Sequence, residues 1–265
     1  MKNWIHEQTI KGLSQFDQSM EKHYPESKEF TREAGKYLQT ICETCNYFDA
    51  IKTVNWKSYF INEMSILDLG CGGGWLSAYL STIDQVQKIY ALDSSHAFLT
   101  NLLPDVISKM NGKNEKIEAI EGLFNPLLFS DGELDAIVAS SVIHHSENLE
   151  TLLLECRRVL KAGGYLFILN ETPYSGLRHL LSSTKGFLNI FLNLSLKRYH
   201  SMSPSISSSG YFYDPALGDR DYPIWYWKEA IRRSGFEIAE LLDTGMSTLK
   251  VKSGRTLKHF ICRAV

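Results

Sequence analysis

Four glycines in five positions, Gly70, Gly72, Gly73 and Gly74, stand directly behind a short, mostly apolar run in the stretch ILDLGCGGGW (66–75). Glycine at that density weakens any helix or strand interior. The stretch is therefore a turn that brings something close to its own backbone. The residues before it read as a buried strand, and WLSAYLSTI (75–83) has helical spacing. In an open α/β sheet, ligands bind beyond the carboxyl ends of the strands, at the switch point. Glycine at such a turn permits close approach of a ligand to main-chain N–H groups. A helix beginning near Gly74 or Trp75 points its N-terminus at the same place.

The rest of the chain keeps this rhythm. KIYALD (88–93), KIEAIEG (116–122), LDAIVASS (134–141) and YLFILN (165–170) read as strands. HAFLTNLLPDVISKM (96–110) reads as a helix with Pro104 at an awkward interior point. LETLLLECRRVLKAGG (149–164) reads as an amphipathic helix closed by Gly163 and Gly164. Apolar strands alternating with helices predict a doubly wound, mostly parallel sheet covered on both faces. FEIAELLDTG (236–245) and LKHFICRAV (257–265) complete seven strands. Their connection has no helical pattern, so the last strand is expected to be antiparallel. Residues 1–60 contain no clear strand; Phe30, Ala34, Tyr37, Leu38, Ile41, Cys42 and Cys45 fall on one helical stripe. The organisation is a helical cap (1–60), a cofactor-binding core (61–170), an insertion over the substrate (171–222) and the end of the core sheet (223–265). The segment 186–200 reads as an apolar helix, and Ile224, Trp227 and Ile231 share a core face of a helix over 223–235.

A formal net charge of −2 and a pI of about 6.5 argue against a chain that coats nucleic acid. The odd set of five cysteines reads as reduced, with the lone Cys42-x-x-Cys45 pair lining a helix face. No third ligand is placed by spacing beside His144 and His145, so no metal is expected. MKNWIHEQTIKG lacks the apolar stretch of a signal peptide, and no run reaches the ~18 residues of a membrane span. A cytoplasmic protein without stable membrane insertion is expected.

Two cofactor classes compete for the turn. A dinucleotide fingerprint asks for a small residue where Trp75 stands. The pattern present is Asp68-x-Gly70-x-Gly72-x-Gly74, which resembles motif I of the class I S-adenosylmethionine-dependent methyltransferases. Asp93 closes the next strand, where that family keeps an acid for two ribose hydroxyls, a pairing suited to a bidentate carboxylate. IEAIEGLF (117–124) resembles the segment after strand three, but Gly122-Leu123 replaces the usual Gly-Asp, so the adenine contact shifts to Glu121 or to a main-chain N–H. ELDAIVASSVIHH (133–145) and RRVLKAGGYLFIL (157–169) resemble the blocks that follow, and the likeness spans about 66–170. The resemblance implies S-adenosyl-L-methionine as cofactor, held by Asp68, Gly70, Cys71, Gly72, Gly74, Asp93, Ser94, Gly122, Leu123 and Ser140.

Methyl transfer from a sulfonium is an in-line displacement. Orientation supplies much of the rate, and an oxygen or nitrogen nucleophile gains from a base. His144 and His145 follow strand four and are the candidate bases; their alternative is loop packing. Glu171 either orients substrate or caps the next segment. Tyr211, Tyr213, Asp214, Asp219 and Asp221 lie on the insertion. The expected activity is methylation of a small-molecule acceptor, with a protein or RNA methyltransferase and a non-catalytic cofactor-binding scaffold as alternatives.

Overall fold

A computed structural model describes residues 1–4, 32–146, 148–173, 205–206, 212–214, 219–248 and 255–265. Its core is an eight-stranded sheet in the order β1-β4-β3-β2-β5-β6-β11-β10. These strands are β1 (Lys2–Asn3), β2 (Met64–Leu69), β3 (Val86–Asp93), β4 (Ile117–Glu121), β5 (Leu134–Ser140), β6 (Leu160–Glu171), β10 (Phe236–Asp243) and β11 (Lys258–Ala264). The strands from β1 to β6 run parallel, and β11 lies antiparallel between β6 and β10. The chain reverses its direction of travel across the sheet at β2, which has β3 on one side and β5 on the other. The glycine turn leaves the sheet there.

Side-chain alternation divides the core in two. Leu67, Leu69, Ile137, Ala139, Leu166 and Ile168 pack on one face, beneath α6 (Leu149–Val159) and α7 (Ile224–Arg233). Ile66, Ala136, Val138, Phe167 and Leu169 pack on the other. That second face is covered by α1 (Ala34–Gln39), α2 (Tyr47–Ile51), α3 (Trp56–Tyr59) and α4 (Trp75–Ser81). Both faces are dry, which is why the strands read as nearly continuous apolar runs.

Several expectations change. Residues 1–60 do contain a strand: β1 pairs in parallel with β4 through Lys2↔Ile120 and Asn3↔Glu121. Two residues are too few to show a period of two, and only the open edge of β4 calls them into the sheet. This makes eight strands where seven were expected. The helix at 149–164 stops at Val159, and Gly163 and Gly164 lie inside β6 instead of capping. Gly163 is left-handed (φ +76), and a Cβ on Gly164 would stand 2.9 Å from the Asp135 carbonyl oxygen. These glycines serve an irregular strand start rather than a helix end. The helix at 96–110 divides into a π turn, Phe98–Leu102, and α5 (Leu103–Lys109), which puts Pro104 in a first turn where its missing N–H costs nothing. Within 171–222, β7 (Ser205–Ile206), β8 (Phe212–Asp214) and β9 (Asp219–Asp221) form a separate antiparallel sheet. Phe30, Tyr211 and the apolar segment 186–200 fall outside the described residues. Trp227 and Ile231 are buried as expected, with Ile224 packed against the same cluster.

Candidate functional site

The turn residues take the conformations that glycine alone adopts readily. Gly70, Gly72 and Gly74 have φ of +69, +52 and +80. A Cβ would lie 2.2 Å from Val142 Cγ2 at Gly70 and 1.9 Å from Leu103 Cδ1 at Gly74. Gly73 is small for another reason: the Tyr37 ring, arriving on α1, stands 2.8 Å from where its Cβ would be.

The turn amides, expected to face a ligand, are already engaged by the protein. Gly70 and Cys71 N–H donate to the Leu92 carbonyl, Gly74 N–H to the Cys71 carbonyl, and Gly72 N–H to Asp93 Oδ2 at 2.8 Å. Gly73 N–H donates to the Tyr37 hydroxyl at 3.1 Å. The turn therefore offers a ligand its carbonyl oxygens and nearby carboxylates. Asp68 is buried, accepts from the Ser77 hydroxyl at 2.6 Å, and is pushed up to about 7 by burial, with the Asp93 charge adding to it. Burial also drives the Tyr37 phenol and the Cys71 thiol well above their ordinary values, and both feel the negative charges of Asp68 and Asp93. An electronegative, acceptor-rich turn repels a pyrophosphate and suits a ligand bearing cationic groups and hydroxyls.

The expected site residues line neighbouring strand ends. Asp93 ends β3, and its Oδ1 accepts from the Ser95 amide at 2.8 Å, while Ser94 sits half-buried in the bend between them. Gly122 follows β4; its N–H donates to the Asp93 carbonyl, and its missing Cβ leaves room for Leu92 and Trp4. Leu123 is exposed. Glu121 turns to His96 Nδ1 (2.9 Å) and Asn3 Nδ2 (3.4 Å). Ser140, at the end of β5, accepts from Asn170 Nδ2 at 2.8 Å.

His144 and His145 form a short 3-10 turn, Ile143–His145, after β5, with ring centroids 4.3 Å apart. The two histidines differ in their settings. His144 Nδ1 lies 2.8 Å from Glu171 Oε2, and that carboxylate is buried at the end of β6. The other oxygen, Oε1, has no hydrogen-bond partner among the described residues. The sequence placed Glu171 at a strand end without its histidine. Asn170, which sequence reading passed over, is left-handed (φ +59) and buried. Asn is the non-glycine residue most at ease in that conformation, so an Asn between an apolar strand and an acid was a usable signal. Asp221 is paired with Arg255 at 2.7 Å, and Arg220 of β9 donates to the Ser146 carbonyl beside the histidine turn. Among the described residues no group of His, Cys, Asp and Glu has the geometry of a metal site, and Cys42, Cys71, Cys156 and Cys262 are free thiols.

The family described as "Methyltransferase domain" matches residues 67–168, from β2 through β6. Residues 67–168 thus form a methyltransferase domain, on the fold of S-adenosylmethionine-dependent methyltransferases of known structure. This methyltransferase is 33% identical over 129 residues to the mitochondrial ubiquinone biosynthesis O-methyltransferase of Rattus norvegicus, covering 43% of this chain and 33% of that one. It is 32% identical over 118 residues to a polyketide synthase–nonribosomal peptide synthetase of Pyricularia grisea, covering 44% of this chain and 3% of that one. The chain thus spans a third or less of the length of these curated relatives. Among solved structures it is similar to the Burkholderia thailandensis 1,6-didemethyltoxoflavin-N1-methyltransferase with bound 1,6-didemethyltoxoflavin and S-adenosylhomocysteine, with TM-score 0.61 and 13% identity over 98% of this chain and 91% of that one. At that identity the likeness concerns the fold. S-adenosylmethionine is the cofactor of the methyltransferase, and its sulfonium, ammonium and ribose hydroxyls fit a turn rich in acceptors and negative charge. Among the described residues no helix is long and apolar enough to cross a membrane.

Proposed function

We propose that this chain methylates an oxygen or nitrogen of a small-molecule acceptor, with His144 as general base and Glu171 as its orienting partner. The observation that carries the reading is the 2.8 Å contact between His144 Nδ1 and the buried Glu171 carboxylate at the strand ends next to the cofactor turn. An ionised carboxylate only accepts, so Nδ1 holds the proton and Nε2 is left as the basic nitrogen. Bound S-adenosylmethionine supplies an electrophilic methyl on a sulfonium, whose carbon–sulfur bond breaks as the bond to the acceptor forms. His144 Nε2 takes the acceptor's proton as that bond forms, and Glu171 stabilises the resulting imidazolium. Glu171 Oε1, buried without a partner among the described residues, asks for an N–H or O–H donor. A hydroxyl- or amino-bearing acceptor supplies one, in keeping with the O- and N-methyltransferases among the similar proteins.

The test is transfer of labelled methyl from S-adenosylmethionine to a panel of phenols, amines and hydroxy acids, with cofactor binding followed by calorimetry. His144→Ala is expected to slow transfer by about 10²-fold or more while leaving cofactor affinity within about twofold. Asp93→Ala is expected to weaken cofactor binding by about tenfold, the loss of one to two charge-assisted hydrogen bonds. Wild-type protein that does not bind S-adenosylmethionine, or a His144→Ala variant as fast as wild type, refutes the proposal.

A further inference from the structure

Regular alternation along β6 does not bring Glu171 to His144. Leu166 and Ile168 lie on the face beneath α6 and α7, whereas Phe167 and Leu169 lie on the opposite face. Continued by two, that alternation sends residue 171 to the Phe167–Leu169 side. His144 follows Val142 and Ile143, both packed on the Leu166–Ile168 side. Yet Glu171 reaches His144.

The register explains how. Phe260 of β11 pairs with Ile168, and Lys258 pairs with Glu171. Between these pairs β11 has His259 alone, whereas β6 has both Leu169 and Asn170. This is a β-bulge: one extra residue, which reverses the facing of every side chain beyond it. Asn170 is the left-handed member, with φ +59.

Three contacts hold it there. Asn170 N–H donates to His259 Nδ1 at 3.0 Å, and its side-chain amide donates to Ser140 Oγ at 2.8 Å and to the Tyr47 carbonyl at 3.5 Å. His259 is completely buried, and its Nε2 lies 2.9 Å from the Ala50 carbonyl of α2. Because the Asn170 amide only donates, His259 Nδ1 must accept, so the ring is neutral with its proton on Nε2. Burial also holds its pKa below the ordinary histidine value. Nothing in the methyl-transfer chemistry calls for this histidine. Its two bonds tie the bulge to a helix of the N-terminal cap.

We propose that the bulge formed by Asn170 against His259 is what aims Glu171 at His144, which makes Asn170 and His259 positioning residues of the acceptor site. The inference rests on the His144–Glu171 pair named above as the working pair. It does not need His144 to be the base.

The test reads the titration of the His144 imidazole by NMR in the free, full-length protein, so it needs neither cofactor nor acceptor. Among the described residues, groups facing His144 include Glu171, the His145 ring and, through the Ser146 carbonyl, Arg220. Glu171→Gln removes the carboxylate and is expected to lower the His144 midpoint by about one pH unit. Asn170→Val, a β-branched residue that avoids positive φ, is expected to lower it as much, with no further shift in the double variant. Asn170→Gly, at ease at positive φ, is expected to keep the wild-type midpoint within a few tenths of a unit. His259→Gln retains an acceptor and a donor and is expected to keep it too, whereas His259→Leu lowers it. Should Asn170→Val fail to fold, the Gly, Gln and Leu variants still decide. An unchanged midpoint in a folded Asn170→Val or His259→Leu protein overturns the proposal, as does a lowered one in Asn170→Gly. A Glu171→Gln protein with the lowered midpoint but full methyl transfer would overturn the base assignment alone and leave the bulge reading standing.

Discussion

Asp68 is the most informative single residue to perturb. Its carboxyl is buried beneath the glycine turn and pushed up to about 7 by that burial, against 3.8 for an exposed aspartate. The folded state therefore holds the proton more tightly than the unfolded chain. Stability from this group is fully present below the unfolded value and is lost as pH rises through the folded one. Each pH unit across that window costs ~1.4 kcal/mol, so ionising Asp68 in the folded protein costs about 4 kcal/mol by about pH 8. Asp68→Asn keeps an oxygen for the Ser77 hydroxyl, now at 2.6 Å from Oδ2, and cannot ionise. Part of the gain is offset by the two N–H groups the amide brings into a dry site. Relative to wild type, the variant is expected to gain about 3 kcal/mol between about pH 4.5 and about pH 8, a rise of roughly 1 M or more in urea midpoint. Urea unfolding of both proteins at several pH values measures the difference curve. Parallel curves would show that Asp68 ionises in the folded protein as it does in water, which would refute the argument from burial.

Gly74→Ala combines left-handed strain with a Cβ set 1.9 Å from Leu103 Cδ1 and is expected to cost about 2–4 kcal/mol. Gly245→Ala, at φ +70 with nothing within 4 Å, carries only the strain, about 1–2 kcal/mol, and the two melting temperatures should fall in that order. Tyr37→Phe keeps the ring over the turn but strips the Gly73 amide of its acceptor, so a loss of about 1–3 kcal/mol is expected in thermal melts. An unchanged melt would show that the α1 contact is apolar in effect.

The sheet was legible because its signals are local. Buried parallel strands must be apolar along their whole length, and those at 65–69, 88–93 and 134–141 were found within a residue or two, whereas 165–170 is only the later part of β6, which starts at Leu160. The glycine turn was legible because positive φ and crowding leave no other residue type. The end of α6 was misread because Gly163 and Gly164 resemble a helix cap on paper, whereas Gly163 is glycine for its left-handed φ and Gly164 for the Asp135 carbonyl contributed by β5.

The sequence by itself determined which strand ends lie around the glycine turn and the acidic, glycine-lined character of that turn, since backbone sterics and burial act residue by residue. Tertiary structure alone decided which groups meet there. Tyr37 satisfies Gly73 because α1 crosses the turn, while β3 takes the amides of Gly70, Cys71 and Gly72. Glu171 meets His144 because β6 carries one residue more than β11 between two of their pairs. Register is a relation between distant segments, and one extra residue reverses the face of a side chain without leaving a mark in the local pattern.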